Sequence, residues 1–373
     1  MKKIIMTCLI IVVCLTISAF LLVNRKSEKT RLIMKHPSNH LSNSYKPYKA
    51  EALLSAAGDF LVHSQVYTDA LTGQNKYNFN PMLQEIRSFF KDADLAFINQ
   101  ESVLGGASIG VSSYPSFNSP YEAGDALINA GIDIVNMANN HTLDKGPGGI
   151  YNAITYYEKK GLTYIGAYKN TRDSLTPRVI NKNGIKFGFL GYTYGTNGIP
   201  VPSGKRFLVN LMDVEKMKRD IKEIKPLSDF VIVSVHWGME YQRFPNEDQE
   251  RIAAILADAG TDVIIGHHPH VLQPMEWIAG KNGRRTLVVY SLGNFLSGQQ
   301  GEYKDIGGIV QIPFTKSSSG TSVKASVGNP EFIPTIVTNQ DKEKYRVKIL
   351  KDVNPKLNRS IENHVLSPLK TIK

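Results

Sequence analysis

From residue 50 onward the chain alternates short apolar runs with longer stretches in which apolar residues recur at helical spacing. The runs at 53–57, 95–98, 132–136, 162–165, 186–191, 229–235, 262–265, 286–291 and 308–313 have the length and composition of buried strands. Between them, 80–90, 120–130, 149–160, 214–224 and 246–259 predict helices; in the first, Met82, Leu83, Ile86, Phe89 and Phe90 form the apolar stripe. Strands alternating with helices predict an α/β fold whose sheet faces are covered by helices. The Ser/Gly/Thr segment 317–322 reads as a connector or hairpin loop, 345–350 as strand-like, and 355–373 as a frayed terminus.

The N-terminus carries a different pattern. Residues 4–23 contain no charge, follow Lys2 and Lys3, and would span about 30 Å as a helix. A secretory signal core is roughly 7–15 residues long, so this run predicts an uncleaved signal anchor, with cleavage near Ala19 as the alternative. The organisation expected is a cytoplasmic stub (1–3), a transmembrane helix (4–23), a polar linker (24–50), a main domain (51–313) and a C-terminal extension (314–373). The protein is then single-pass in the cell membrane, with the bulk of the chain extracellular. Arg25 and Lys26 follow the span, but long domains are translocated largely regardless of such flanking charge. Cys8 and Cys14, the only two cysteines, both lie in this run, which excludes a disulfide framework or a cysteine metal site elsewhere.

The net charge of +11 favours an anionic partner, such as a polymer or a lipid surface. The basic residues form no arginine-rich arm and match no zinc-finger or RNA-recognition pattern, so nucleic acid is excluded as the expected partner.

Candidate chemistry gathers just after the predicted strands, where α/β sheets bind ligands. In order come Asp59, then Asn99 and Glu101, then Asn139, Asn140, His141 and Asp144, then His236, then His267, His268 and His270. Imidazoles, carboxylates and an amide in such a set suit one or two divalent ions, Mn²⁺ before Fe or Zn²⁺. Such ions polarise phosphoryl or carbonyl oxygens and acidify water. Each residue alone has an ordinary structural reading as a turn, cap or core residue. The block Gly266-His267-His268-Pro269-His270 is more specific, because three of nine histidines fall within four positions.

The blocks Ala57-Gly58-Asp59, Asn99-Gln100-Glu101, Ala138-Asn139-Asn140-His141, Ser234-Val235-His236-Trp237-Gly238, Gly266-His267-His268-Pro269-His270 and Tyr290-Ser291-Leu292-Gly293-Asn294-Phe295 resemble, in order and spacing, the CapA/PgsA family of poly-γ-glutamate capsule proteins, within the calcineurin-like metallophosphoesterases. The resemblance implies two stacked mixed β-sheets flanked by helices, in four αββα layers, and a role in making or exporting the capsule polymer beside membrane-bound polyglutamate synthetase subunits. It implies His141 as the group acting on the leaving group, and Asp59, Glu101, Asn140, His236, either His267 or His268, and His270 as metal ligands. Two features depart from the superfamily: His63 stands four residues after Asp59 instead of two, and Asn99-Gln100-Glu101 replaces the usual bridging Asp block. The centre is therefore open between two metals, one and none, and catalysis is open with it. Substrate contacts are expected from Asn99, Asn139, Asn294, Lys205 and Arg206, with the Gly/Pro-rich loop 192–202 lining the cleft.

Overall fold

The computed structural model describes residues 45–320 and 322–370. The predicted membrane span and most of the linker lie outside the described residues. Among the described residues no helix is long and apolar enough to cross a membrane.

The strands in chain order are β1 (Tyr45–Leu61), β2 (Leu71–Gly73), β3 (Lys76–Tyr77), β4 (Leu95–Gln100), β5 (Ile134–Asn136), β6 (Thr163–Ile165), β7 (Arg178–Lys182), β8 (Ile185–Thr193) and β9 (Phe230–His236). They continue as β10 (Val263–His267), β11 (Leu272–Ala279), β12 (Arg285–Leu292), β13 (Asn294–Ser297), β14 (Ile306–Gly320), β15 (Ser322–Val327), β16 (Glu331–Gln340) and β17 (Glu343–Ile349). One mixed sheet has the order β17-β16-β14-β1-β4-β5-β6, with β13 beside β1 and β15 beside β14; a second runs β11-β12-β10-β9-β8-β7. β2 and β3 form a small separate hairpin.

The period-two alternation of side chains explains the layering. Leu54, Ala56, Phe97 and Ile134 from the larger sheet share one buried cluster with Phe187, Ile232, Val263 and Ile265 from the smaller. The next residues along the same strands face the other way. Ala96, Ile98 and Val135 pack with Leu127 and Ile154 of the helices Tyr121–Ala130 and Gly146–Lys160. Val231, Val233 and Ile264 pack with Met217 and Leu256 of Val214–Ile224 and Glu247–Ala259. The result is helix, sheet, sheet, helix, with central strands buried on both faces and apolar throughout.

β1, β4, β5 and β6 run parallel, as do β8, β9, β10 and β12. Their C-terminal ends therefore fall along one edge of each sheet, and those two edges carry the candidate residues.

Several expectations need correction. The predicted helix 80–90 is broken into Asn80–Leu83, a 3₁₀ turn Gln84–Ile86 and Arg87–Lys91; Met82, Leu83, Ile86 and Phe90 all bury, and tertiary packing holds them across the tighter turn. Residues 45–50 belong to β1, not to a linker; of the two readings of 317–322, the hairpin holds, with Ser317–Ser319 paired to β15 near its tip. The terminus read as frayed is the helix Pro355–Lys370, whose Ile361 and Val365 are buried between the sheets' core residues. β16 and β17 also complete the larger sheet, so the residues after 313 are part of its core.

Candidate metal centre

Asp59 lies near the C-terminal end of β1, and its register partners are Asn99 on β4 and Asn294 on β13. Asn99 in turn pairs with Asn136 on β5, while His236 and His267 pair across β9 and β10. Two glycines allow this crowding. A Cβ on Gly58 would lie 2.0 Å from the Gly293 carbonyl oxygen, and one on Gly266 would lie 2.0 Å from that of Tyr290. The backbones touch where each strand delivers its functional residue.

An amide relay fixes the first carboxylate. Asn136 Nδ2 donates to Asn99 Oδ1 (2.9 Å), and Asn99 Nδ2 donates to Asp59 Oδ1 (2.8 Å). Asp59 Oδ2 accepts from the His268 backbone N–H (3.2 Å) and lies 3.3 Å from His270 Nδ1. His267 Nδ1 is 3.4 Å from Asp59 Oδ1. His270 Nδ1 is also 3.1 Å from Asn294 Oδ1; both neighbours are acceptors, so Nδ1 carries the proton and Nε2 faces Glu101 Oε1 at 3.6 Å. His236 Nε2 lies 3.0 Å from Asn140 Oδ1 and 3.5 Å from Glu101 Oε1. His268 and His270 both have left-handed backbones, φ 98° and 58°. Non-glycine residues hold such conformations only where their surroundings impose them, a pattern concentrated at functional sites.

The electrostatics suit a site that takes a cation. Burial alone would raise the Asp59 carboxyl, yet the imidazoles of His267 and His270 hold it well below the usual range. Burial pushes Glu101 well above its usual range. Burial disfavours charge on His270 as well, but the Glu101 and Asp59 carboxylates push it up to about 9. Burial drives His236 well down and His268 down to about 3. A proton on His270 thus supplies the positive charge that the carboxylates demand. Both Glu101 oxygens, both His267 ring nitrogens and His268 Nδ1 are buried without a hydrogen-bond partner. Orphaned buried polar atoms are costly and rare, and a metal ion would satisfy them. The oxygen and imidazole donors fit Mn²⁺, Fe or Zn²⁺. Two ligand sets, Asp59/Glu101/His270 and Glu101/His236/His268, each have their ligand atoms within 4.8 Å of one another, with Glu101 common to both.

Beside the centre, His141 Nδ1 lies 2.7 Å from Asp144 Oδ2, and Phe117 packs edge-on against the ring at 4.6 Å. Asp144 is itself held by the Phe117 N–H at 2.6 Å. This fixes the imidazole and leaves Nε2 for proton exchange. Asn197, from the loop predicted to line the cleft, accepts from Asn140 Nδ2 (3.2 Å), and its own Nδ2 lies 3.4 Å from His141 Nδ1. Tyr194 in the same loop packs against His268 (4.7 Å) and His236 (6.3 Å).

The structure thus brings together Asp59, Glu101, Asn140, His141, His236, His267, His268 and His270. His268 sits in a ligand set with Glu101, whereas His267 lies beneath Asp59 and packs on Phe97. The residues expected to meet substrate are placed differently. Asn99, Asn139 and Asn294 are buried, and each braces a neighbour: Asp59, the His141 backbone N–H and His270 respectively. Lys205 and Arg206 are exposed at a 3₁₀ turn, with no ion pair to the centre among the described residues. Sequence reasoning assigned no part to Asn136 or Glu240, and reached Tyr194 and Asn197 only as members of the cleft loop 192–202; a polar residue ending an apolar strand was the available signal for Asn136.

A family model described as bacterial capsule synthesis protein PGA_cap matches residues 53–299. The chain is 33% identical over 207 residues to the PGA biosynthesis protein CapA of Bacillus subtilis, covering 53% of this chain and 51% of that protein. It is 32% identical over 237 residues to the capsule biosynthesis protein CapA of Bacillus anthracis, covering 61% and 56%. The chain spans about half the length of the curated relatives it matches. Similar solved structures include the NAD nucleotidase of Haemophilus influenzae (14% identity, TM-score 0.47, covering 87% of this chain and 63% of that one). Another is a putative 5'-nucleotidase from Staphylococcus aureus (16% identity, TM-score 0.46, covering 84% and 58%). With the family model spanning most of the region that builds the centre, the chain belongs to the bacterial capsule synthesis protein family PGA_cap.

Proposed function

We propose that this protein is anchored in the cell membrane by residues 4–23, holds its α/β domain outside the cell, and serves the synthesis or export of an anionic capsule polymer, poly-γ-glutamate, beside membrane-bound synthetase subunits. Family membership and the capsule roles printed for its relatives support the polymer. The four layers and the donor set support a calcineurin-like metallophosphoesterase fold for the domain.

The observation that carries the reading is the buried group of orphaned donors at the meeting sheet edges. Asp59, Glu101, Asn140, His236, His268 and His270 would hold a divalent ion, which when bound polarises a phosphoryl or carbonyl oxygen and acidifies water. The chain's own residues do the rest. Asn99, Asn136 and Asn294 orient donors, Tyr194 covers two imidazoles, and His141, aligned by Asp144, exchanges a proton with a bound group.

The test is genetic. Deleting the gene should abolish surface polymer, and the full chain should restore it. A secreted form lacking residues 1–44 should not, nor should Asp59→Asn or His270→Ala at equal protein level. Unchanged polymer in the deletion strain removes the capsule role. The His141–Asp144 pair favours a second reading, a metal-dependent hydrolase independent of capsule. That reading requires Mn²⁺-dependent phosphoester cleavage by the purified full chain, lost by about 100-fold in His141→Ala.

A further inference from the structure

We propose that Glu240 is a metal ligand, closing the centre from its solvent side beside His268 and His270. The proposal rests on the metal-centre reading and extends it to a residue outside the buried donor group.

Glu240 belongs to the turn between β9 and the helix Glu247–Ala259. Its carboxylate and a ring nitrogen of each of His268 and His270 all lie within 4.8 Å of one another. The turn is built to stay there. Gly238 has φ 82°, and a Cβ on it would meet the Gln249 side chain at 2.6 Å, so the chain can double back directly after His236. The Tyr241 N–H then donates to the Pro269 carbonyl (2.7 Å), pinning the turn to the loop that carries both imidazoles. Tyr241 itself has φ 67°.

Three observations make the carboxylate a ligand instead of a surface acid. His268 is 4% exposed, and its Nδ1 has no hydrogen-bond partner. Glu240 forms no ion pair with a lysine or arginine among the described residues, and neither does Asp59 or Glu101. Three carboxylates therefore gather around the imidazoles with no lysine or arginine paired to any of them among the described residues, which calls for a cation. Glu240 also stands next to one imidazole from each ligand set: His268 partners Glu101 and His236, and His270 partners Glu101 and Asp59. Glu101 serves both sets from within, and Glu240 faces both from outside. Being exposed, it is the donor that can move aside as an ion enters or leaves.

The test counts bound metal. The purified full chain in detergent is stripped with EDTA and titrated with Mn²⁺, reading free Mn²⁺ by electron paramagnetic resonance. Wild type, Glu240→Gln and Glu101→Gln are compared, with unfolding in EDTA as the folding control. Glu240→Gln should fold as wild type and bind at least one Mn²⁺ about tenfold or more weakly. Glu101→Gln should weaken every bound ion. Identical titrations for wild type and Glu240→Gln overturn the role of Glu240 and leave the metal centre standing. A wild type that binds no Mn²⁺, Fe²⁺ or Zn²⁺ overturns both.

Discussion

Around the centre, the protonation of each side chain is set by what touches it, and His63 shows how far this reaches. Its Nδ1 accepts from the Gly298 N–H (3.2 Å), and its ring packs edge-on against Phe117 at 5.1 Å. Burial, against the raising effect of the Leu61 carbonyl 3.1 Å from Nδ1 and with further lowering by His270 and His141, brings its pKa down to about 4. An unfolded histidine titrates near 6.5. Between those values the unfolded chain takes up a proton that the folded chain refuses, so stability is lost as pH falls from 6.5 towards 4. His63→Gln keeps an acceptor for Gly298 and cannot titrate. In EDTA, its urea midpoint should fall less than that of wild type between pH 6.5 and 4.5; parallel curves would show that His63 does not titrate in this way. The same residue marks a limit of sequence reading. Its spacing from Asp59 set it apart from the superfamily pattern, but only the fold shows that it braces a loop at Gly298 and forms no part of a ligand set.

At the level of elements, the strands were legible as apolar runs, and five of them are followed closely by Asp59, Asn99, Asn140, His236 and His267, the ends that build the centre. The last helix was not. Leu357, Ile361, Val365 and Leu369 recur every four residues, a helical stripe, yet the terminal position led to a reading as a frayed end. Packing overrides that: Ile361 and Val365 are fully buried, and Leu357, Leu366 and Leu369 lie against the same core. Ile361→Ala should therefore cost about 3 kcal/mol in urea unfolding, by lost burial plus the cavity left behind. A cost under about 0.5 kcal/mol would mean the helix is not docked as described. Glu240 was illegible for the opposite reason. An exposed acid in a turn carries no periodic signal, and its place depends on the Tyr241–Pro269 backbone bond.

For the whole molecule, the binding reading has a thermodynamic counterpart. A ligand that binds only the folded state stabilises it by mass action, by about 2.7 kcal/mol at a concentration 100 times its Kd. Saturating Mn²⁺ should raise the thermal midpoint of the EDTA-stripped full chain, reversibly, and should fail to do so in a variant carrying both Asp59→Asn and His270→Ala. An equal shift in that variant would place the stabilising ion elsewhere. The layering and the sheet edges were expected from strand–helix alternation and family resemblance together; the closure of the larger sheet by β16 and β17 was not, although 345–350 read as strand-like, because strand pattern alone does not say which sheet a late strand joins.

The donors are spread from Asp59 to His270, and Asn294, which steadies His270, comes later still. A chain emerging N-terminus first cannot grip an ion until nearly all of these residues have been delivered and both sheets have docked. On the metal-centre reading, loading would follow folding, and the ion taken up would depend on what is available where folding finishes.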